Sequence, residues 1–292
     1  MNGEQPHELS YEDREGFLAS GRSVAPDDRR ASGRDWNLWR PEHFHEEYAA
    51  LLDRIDQALK GSPTEKRTKV FLGNVPHVTV APLAKGFGPT TNVNARLYFK
   101  YYSYFFLADD RVPDPLYPAL TIHEALLIDD SIDQFNASIR DLAKAHNEQV
   151  GYKRFHVVDI NRVLSELAWK RNAGNPTYQW PDALKFLNPP ISTKFYHVNR
   201  RGNFVQGGIV TLDGVHPSTI GHGLIAREFL QEMKDAGVTR ADGHVVDPEG
   251  LEWDRILQQD SLYSRPVSIM QELYENETLV DLVTRIMNVF PS

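Results

Sequence analysis

Two short apolar runs, each ending in a polar turn and followed by a helical pattern, constrain this chain more than anything else in it. The first lies in Thr68-Lys-Val-Phe-Leu-Gly-Asn-Val-Pro76, and the second is Phe155-His-Val-Val-Asp-Ile160. Runs this short, apolar on both faces, are what a buried parallel strand needs, and parallel strands require helical crossovers between them. The helical patterns are present. Phe44, Tyr48, Leu51, Leu52, Ile55 and Leu59 recur at helix spacing behind Pro41, and Ile132, Phe135, Ile139, Leu142 and His146 do so behind Asp130. We expect a short strand over 122–128, a helix capped by Asp130, and a helix after the second run capped by Asn161. Alternation of this kind predicts an α/β fold.

A chain of 292 residues with 41% hydrophobic residues can bury a sizeable core. Its net charge of −8 argues against a nucleic-acid partner, which needs a basic face. The absence of cysteine excludes disulfides, thiolate metal sites and a cysteine nucleophile. No apolar stretch is long enough to span a membrane, and the first residues lack the basic and apolar regions of a signal peptide. No stable membrane insertion is therefore expected, and the cytoplasm is the expected compartment. Residues 1–38 are polar and without period, and are expected to be loop or partly disordered. Aromatic insertions are expected at about 86–118 and 172–203, the first as a packed hairpin or cap, or as an apolar wall for a substrate. Two further amphipathic patterns lie at 251–257 and 269–289.

The stretch with chemical content is Gly207-Gly-Ile-Val-Thr-Leu-Asp213-Gly-Val-His216-Pro-Ser218. It reads as a short strand, a turn bearing an acid and a histidine three residues apart, and a helix capped by Ser218 with Ile220, Leu224, Ile225 and Phe229 as its core stripe. Asp213 is placed to accept from one ring nitrogen of His216, leaving the other to take a proton from a nucleophile. Asn74 and His77, at the carboxyl end of the first apolar run, are candidate site-lining residues because such loops line active sites. The competing expectation for Asn74 is a turn residue with an unusual backbone angle. His43 and His45 lack metal-ligand spacing, so no metal is expected, and the acid-base chemistry read from Asp213 and His216 runs on side chains, so no cofactor is expected. Ser23 in Gly21-Arg-Ser23-Val-Ala25 and Ser261 in Gln259-Asp260-Ser261-Leu262 are weak nucleophile candidates, since the first lacks the second glycine and a leading apolar strand and the second has Gln where a sharp strand-end turn needs glycine.

Asp213-Gly-Val-His216-Pro-Ser218 resembles the last block of the SGNH or GDSL family of ester hydrolases. Trp39-Arg-Pro-Glu-His-Phe44 and Val70-Phe-Leu-Gly-Asn-Val-Pro76 resemble the approach to that family's fourth strand and the strand itself. The likeness covers residues 39–291, in family order, and corresponds to the family's second half. It implies a three-layer sandwich around a mostly parallel, flavodoxin-like sheet that here lacks its first strand. It also implies an esterase or lipase-like activity on a small-molecule or lipid ester, with His216 as base and Asp213 as its orienter. The family's Gly-Asp-Ser nucleophile block has no counterpart in this sequence. Two expectations follow: a truncated chain completed by self-association or a partner chain, or a non-catalytic SGNH-like remnant acting as a binding or interaction module.

Overall fold

The computed structural model describes residues 38–104, 119–188, 190–194, 197–198, 204–205 and 208–264. In chain order the elements are α1 (Pro41–Leu59), β1 (Val70–Gly73), β2 (Ala84–Val93), β3 (Arg96–Tyr104), β4 (Leu120–Thr121), α2 (Ile122–Val150), β5 (Phe155–Val158), α3 (Ile160–Leu167), α4 (Asp182–Lys185), β6 (His197–Val198), β7 (Phe204–Val205), α5 (Thr219–Asp235), α6 (Trp253–Gln259) and α7 (Ser261–Ser264). The fold is mixed α/β. Among the described residues the sheets are a parallel pair β1-β5, an antiparallel β2-β3-β4 and an antiparallel pair β6-β7.

Two compact units divide the chain. The first comprises residues 1–79, 122–165 and 227–248, and it holds the parallel pair in the register Val70 to Phe155 through Gly73 to Val158. One face of the pair carries the core of Leu52, Leu72, Ile139, Ala143 and Phe155, closed by Phe44, Tyr48, Ile55 and Leu142 from α1 and α2. Leu52 and Ile139 are wholly buried, which is worth about 1.5–3 kcal/mol for each side chain. Phe44 stacks on Phe135 with ring centroids 4.4 Å apart. Toward the other face, a Cβ added at Gly73 would meet the Phe229 ring at 3.3 Å and Ile160 at 3.6 Å, so glycine lets these side chains lie close to the strand.

A four-residue pair satisfies few backbone groups, and side-chain amides supply what it lacks. Asn147 of α2 seals the outer edge of β5. Its Oδ1 accepts from the Arg154 and Phe155 amides and its Nδ2 donates to the Phe155 carbonyl, all at 2.8 Å. Arg154, buried beneath, pairs with Asp56, which also bonds His146 Nδ1 at 2.6 Å.

The expected strand over 122–128 is instead the first two turns of α2. Its buried positions, which include Ala125, Leu127, Ile132, Phe135, Ile139, Ala143 and His146, extend the helical period backward through that segment. Asp130 accordingly lies inside that helix and does not cap it. The cap of α3 is Asp159, whose Oδ1 accepts from the Arg162 amide at 3.1 Å; Asn161 is already within the helix.

The second unit comprises 80–121, 166–226 and 249–292. Within the first aromatic insertion, β2 and β3 form a hairpin closed by Asn94 and Ala95, both with positive φ, as a two-residue turn of the primed type requires. The ladder slips between Phe87 and Thr90, where Gly88 at φ +79° and Pro89 make a bulge. The second insertion is mostly irregular among its described residues, with α4 and the packed pair Tyr178–Trp180.

Asn147→Ala should lower unfolding stability by about 2 kcal/mol, because it strips three bonds from buried backbone groups. Urea denaturation followed by circular dichroism measures this.

Candidate functional site

The candidate site is the loop 208–218 in the second unit, which enters α5 directly. The strand expected before Asp213 is not formed; Val210 makes only an isolated bridge with Pro217. The reason is that the segment bonds to the chain just beyond its own turn. Thr211 N donates to the His216 carbonyl at 2.8 Å, Ser218 N donates to the Ile209 carbonyl at 3.0 Å, and Gly214 N donates to the Thr211 carbonyl at 3.0 Å. Gly214 adopts φ +74°, and a Cβ there would lie 2.7 Å from the Leu83 nitrogen, whose N–H donates to the Gly214 carbonyl. Both the backbone angle and the contact demand glycine at this position.

Ser218 caps α5 as expected: its Oγ accepts from the Gly221 amide at 3.2 Å and donates to the Gly208 carbonyl at 2.8 Å. Asp260 adds a second tie at the helix start, accepting from the Ile220 amide at 2.9 Å through Oδ2 while its Oδ1 accepts from Tyr263 N at 3.0 Å. Those bonds explain the Asp260-Ser261-Leu262 sequence. It is the start of α7, and no strand leads into Ser261. Ser23 lies outside the described residues, as does the pattern at 269–289.

Within this frame Asp213 and His216 meet side chain to side chain. His216 Nδ1 lies 2.5 Å from Asp213 Oδ2. Oδ1 of the same carboxylate accepts from the Thr211 hydroxyl at 2.7 Å, Val215 N at 2.9 Å and His216 N at 3.0 Å. Burial pushes the carboxyl upward, but the bonds from Val215 N, the His216 ring, Thr211 and His216 N outweigh it and hold Asp213 well below the usual carboxylate range. An ionised acceptor at Nδ1 favours the tautomer with the proton on that nitrogen, which leaves the Nε2 lone pair open. The imidazole side chain is 76% exposed, so Nε2 can be reached from solvent. Half-exposed Leu83 and Val215 give the loop an apolar border.

Asn74 and His77 belong to the first unit, and both are buried. Asn74 Nδ2 donates to Asp159 Oδ1 at 2.7 Å, and its Oδ1 accepts from Asn161 N at 2.8 Å. His77 N donates to Asn161 Oδ1 at 2.9 Å, and its Nε2 lies 2.8 Å from Asp133 Oδ1. The bonds with Asp159 and Asn161 fasten the turn after β1 to the turn after β5, and the bond with Asp133 ties it to α2. The unusual backbone angle considered for Asn74 is absent, since its φ is not positive. His45 bonds Ser138 Oγ at 3.2 Å. Among the described residues no group of three or more His, Asp or Glu side chains is gathered for a metal, and no helix is long and apolar enough to cross a membrane.

No family model, no curated protein and no solved structure matches this chain.

Thr211 and Leu83 went unnoticed in the sequence. A hydroxyl two residues before an aspartate is a readable signal, because aspartate collects local donors in turns. Leu83 carried none, being distant in the chain.

Two outcomes test this construction. Gly221→Ala should destabilise the protein by roughly 1–2 kcal/mol despite alanine's higher helix propensity, because the new Cβ would lie 2.3 Å from the Ile209 carbonyl oxygen; thermal unfolding reads the sign. Because the folded-state carboxyl of Asp213 is depressed, its contribution is complete above the unfolded value of about 4 and drains away as pH falls toward the folded one. Asp213→Asn should therefore flatten the decline of Tm between about pH 4 and pH 2 relative to the parent chain.

Proposed function

We propose that this chain is an SGNH-type carboxylic ester hydrolase, with His216 as general base and Asp213 as its orienter. The observation that carries the reading is the bond between His216 Nδ1 and Asp213 Oδ2 on an exposed imidazole, which directs Nε2 outward from the carboxylate. In the reaction, Nε2 takes the proton of an attacking hydroxyl as its oxygen adds to the ester carbonyl carbon. The imidazolium then returns that proton to the departing alkoxide as the C–O bond breaks. Asp213 stays ionised throughout and stabilises the charged ring. Water attacks the acyl group in a second round, with the same base. The finer fold reading belongs to this proposal: a flavodoxin-like three-layer sheet of which β1 and β5 are adjacent strands. Its support is the packing on both faces of that pair.

A second reading has its own observation. Among the described residues no hydroxyl is hydrogen-bonded to His216 Nε2, and His216 lines neither the groove of about 670 Å³ beside Asn147 and Phe155 nor that of about 490 Å³ beside Trp253. On that reading the chain is a non-catalytic SGNH-like binding module, or one completed by a second chain. Ladder bonds from Val70 N and Asn74 N toward β5 turn the backbone of Phe71 and Gly73 to the opposite edge of β1, where a further strand could pair.

Hydrolysis of p-nitrophenyl acetate and labelling by a fluorophosphonate separate the two. The hydrolase reading expects turnover that falls by at least about 10³-fold in His216→Ala, with a mapped serine adduct. Turnover that is absent, or unchanged in that variant, rejects it in favour of the binding module.

A further inference from the structure

We infer that Thr211 is a positioning residue for His216, acting through Asp213 by dividing the work of the two carboxylate oxygens. Oδ1 takes three donors and Oδ2 takes only the imidazole. Two of the three donors on Oδ1, Val215 N and His216 N, are backbone amides that any residue other than proline would supply there. The Thr211 hydroxyl is the one side-chain donor in the set, and its bond at 2.7 Å is the shortest of the three. Thr211 is itself held at both ends of the turn, its N–H by the His216 carbonyl and its C=O by Gly214 N. A β-branched residue has few χ1 choices, so a threonine clamped in this way presents its hydroxyl in one direction. Rotation of the carboxylate would break the bonds on Oδ1, and Oδ2 therefore remains in line with Nδ1. A residue two places from the acid, outside the Asp-Gly-Val-His block, thus sets the tautomer and orientation of the ring.

The catalytic consequence rests on the hydrolase reading, but the positional one does not, and the test keeps them apart. Nitrogen-15 shifts of the His216 ring in the full chain report the ratio of the two neutral tautomers. Thr211→Val, which keeps the branched shape and removes the donor, should lower the Nδ1–H to Nε2–H ratio by about fivefold, the worth of one hydrogen bond. Thr211→Ser should restore it. Should the valine chain fail to give a folded amide spectrum, Thr211→Ala serves in its place. Where the chain hydrolyses esters, kcat should fall by the same factor at unchanged KM and recover in the serine variant. A folded Val or Ala variant with the parent tautomer ratio overturns the inference. An ester rate indifferent to His216→Ala overturns the hydrolase reading alone and leaves the tautomer measurement to decide on Thr211.

Discussion

Backbone groups left over by very short strands are the constraint around which this protein is built. A parallel pair of four residues each offers few ladder bonds, and buried amides without partners cost about 1–3 kcal/mol apiece. Asparagine and aspartate side chains meet the demand. Asn147 closes the outer edge of β5, Asn136 bridges Val75 N and O at 2.8 Å each, and Asn74, Asn161 and Asp159 join the two turns beyond the strands. In this unit the polar side chains at the strand ends tie the fold together.

The loop bearing Asp213 and His216 obeys the same rule by different means. Among the described residues it has no neighbouring strand; it folds back on itself and anchors to Leu83, Ser192 and the start of α5. Small residues make that anchoring possible. Gly208, Gly214 and Gly221 each stand where a Cβ would collide with a neighbour, the last two against backbone atoms. Rigidity in the frame matters because an acid and a histidine on a mobile loop would lose the alignment that gives their pair its chemistry.

Much of this was legible in the chain. The helix behind Pro41, the cap at Ser218, the aromatic hairpin and the two apolar strands follow from local propensity and period, which act over a few residues. The contact between Asp213 and His216 was legible for the same reason, since a turn brings positions three apart together. The start of α2 was misread because a segment of seven residues, Ile122 to Ile128, mostly apolar, fits strand and helix alike until its burial pattern is known. The strand expected in the run before Asp213 is not formed among its described residues because strands are made by partners, and this segment's partner is its own turn.

Composition, periodicity and turn chemistry thus determined by themselves that the chain is α/β and that an acid and a histidine share one tight loop. Only the tertiary structure decided that Asn74 and His77 are buried in a bonding network and that the imidazole faces solvent. Hydrogen bonds between residues some sixty to ninety positions apart, such as Val75 with Asn136 and Asn74 with Asn161, depend on which surfaces meet when the core closes, and no local pattern encodes that meeting.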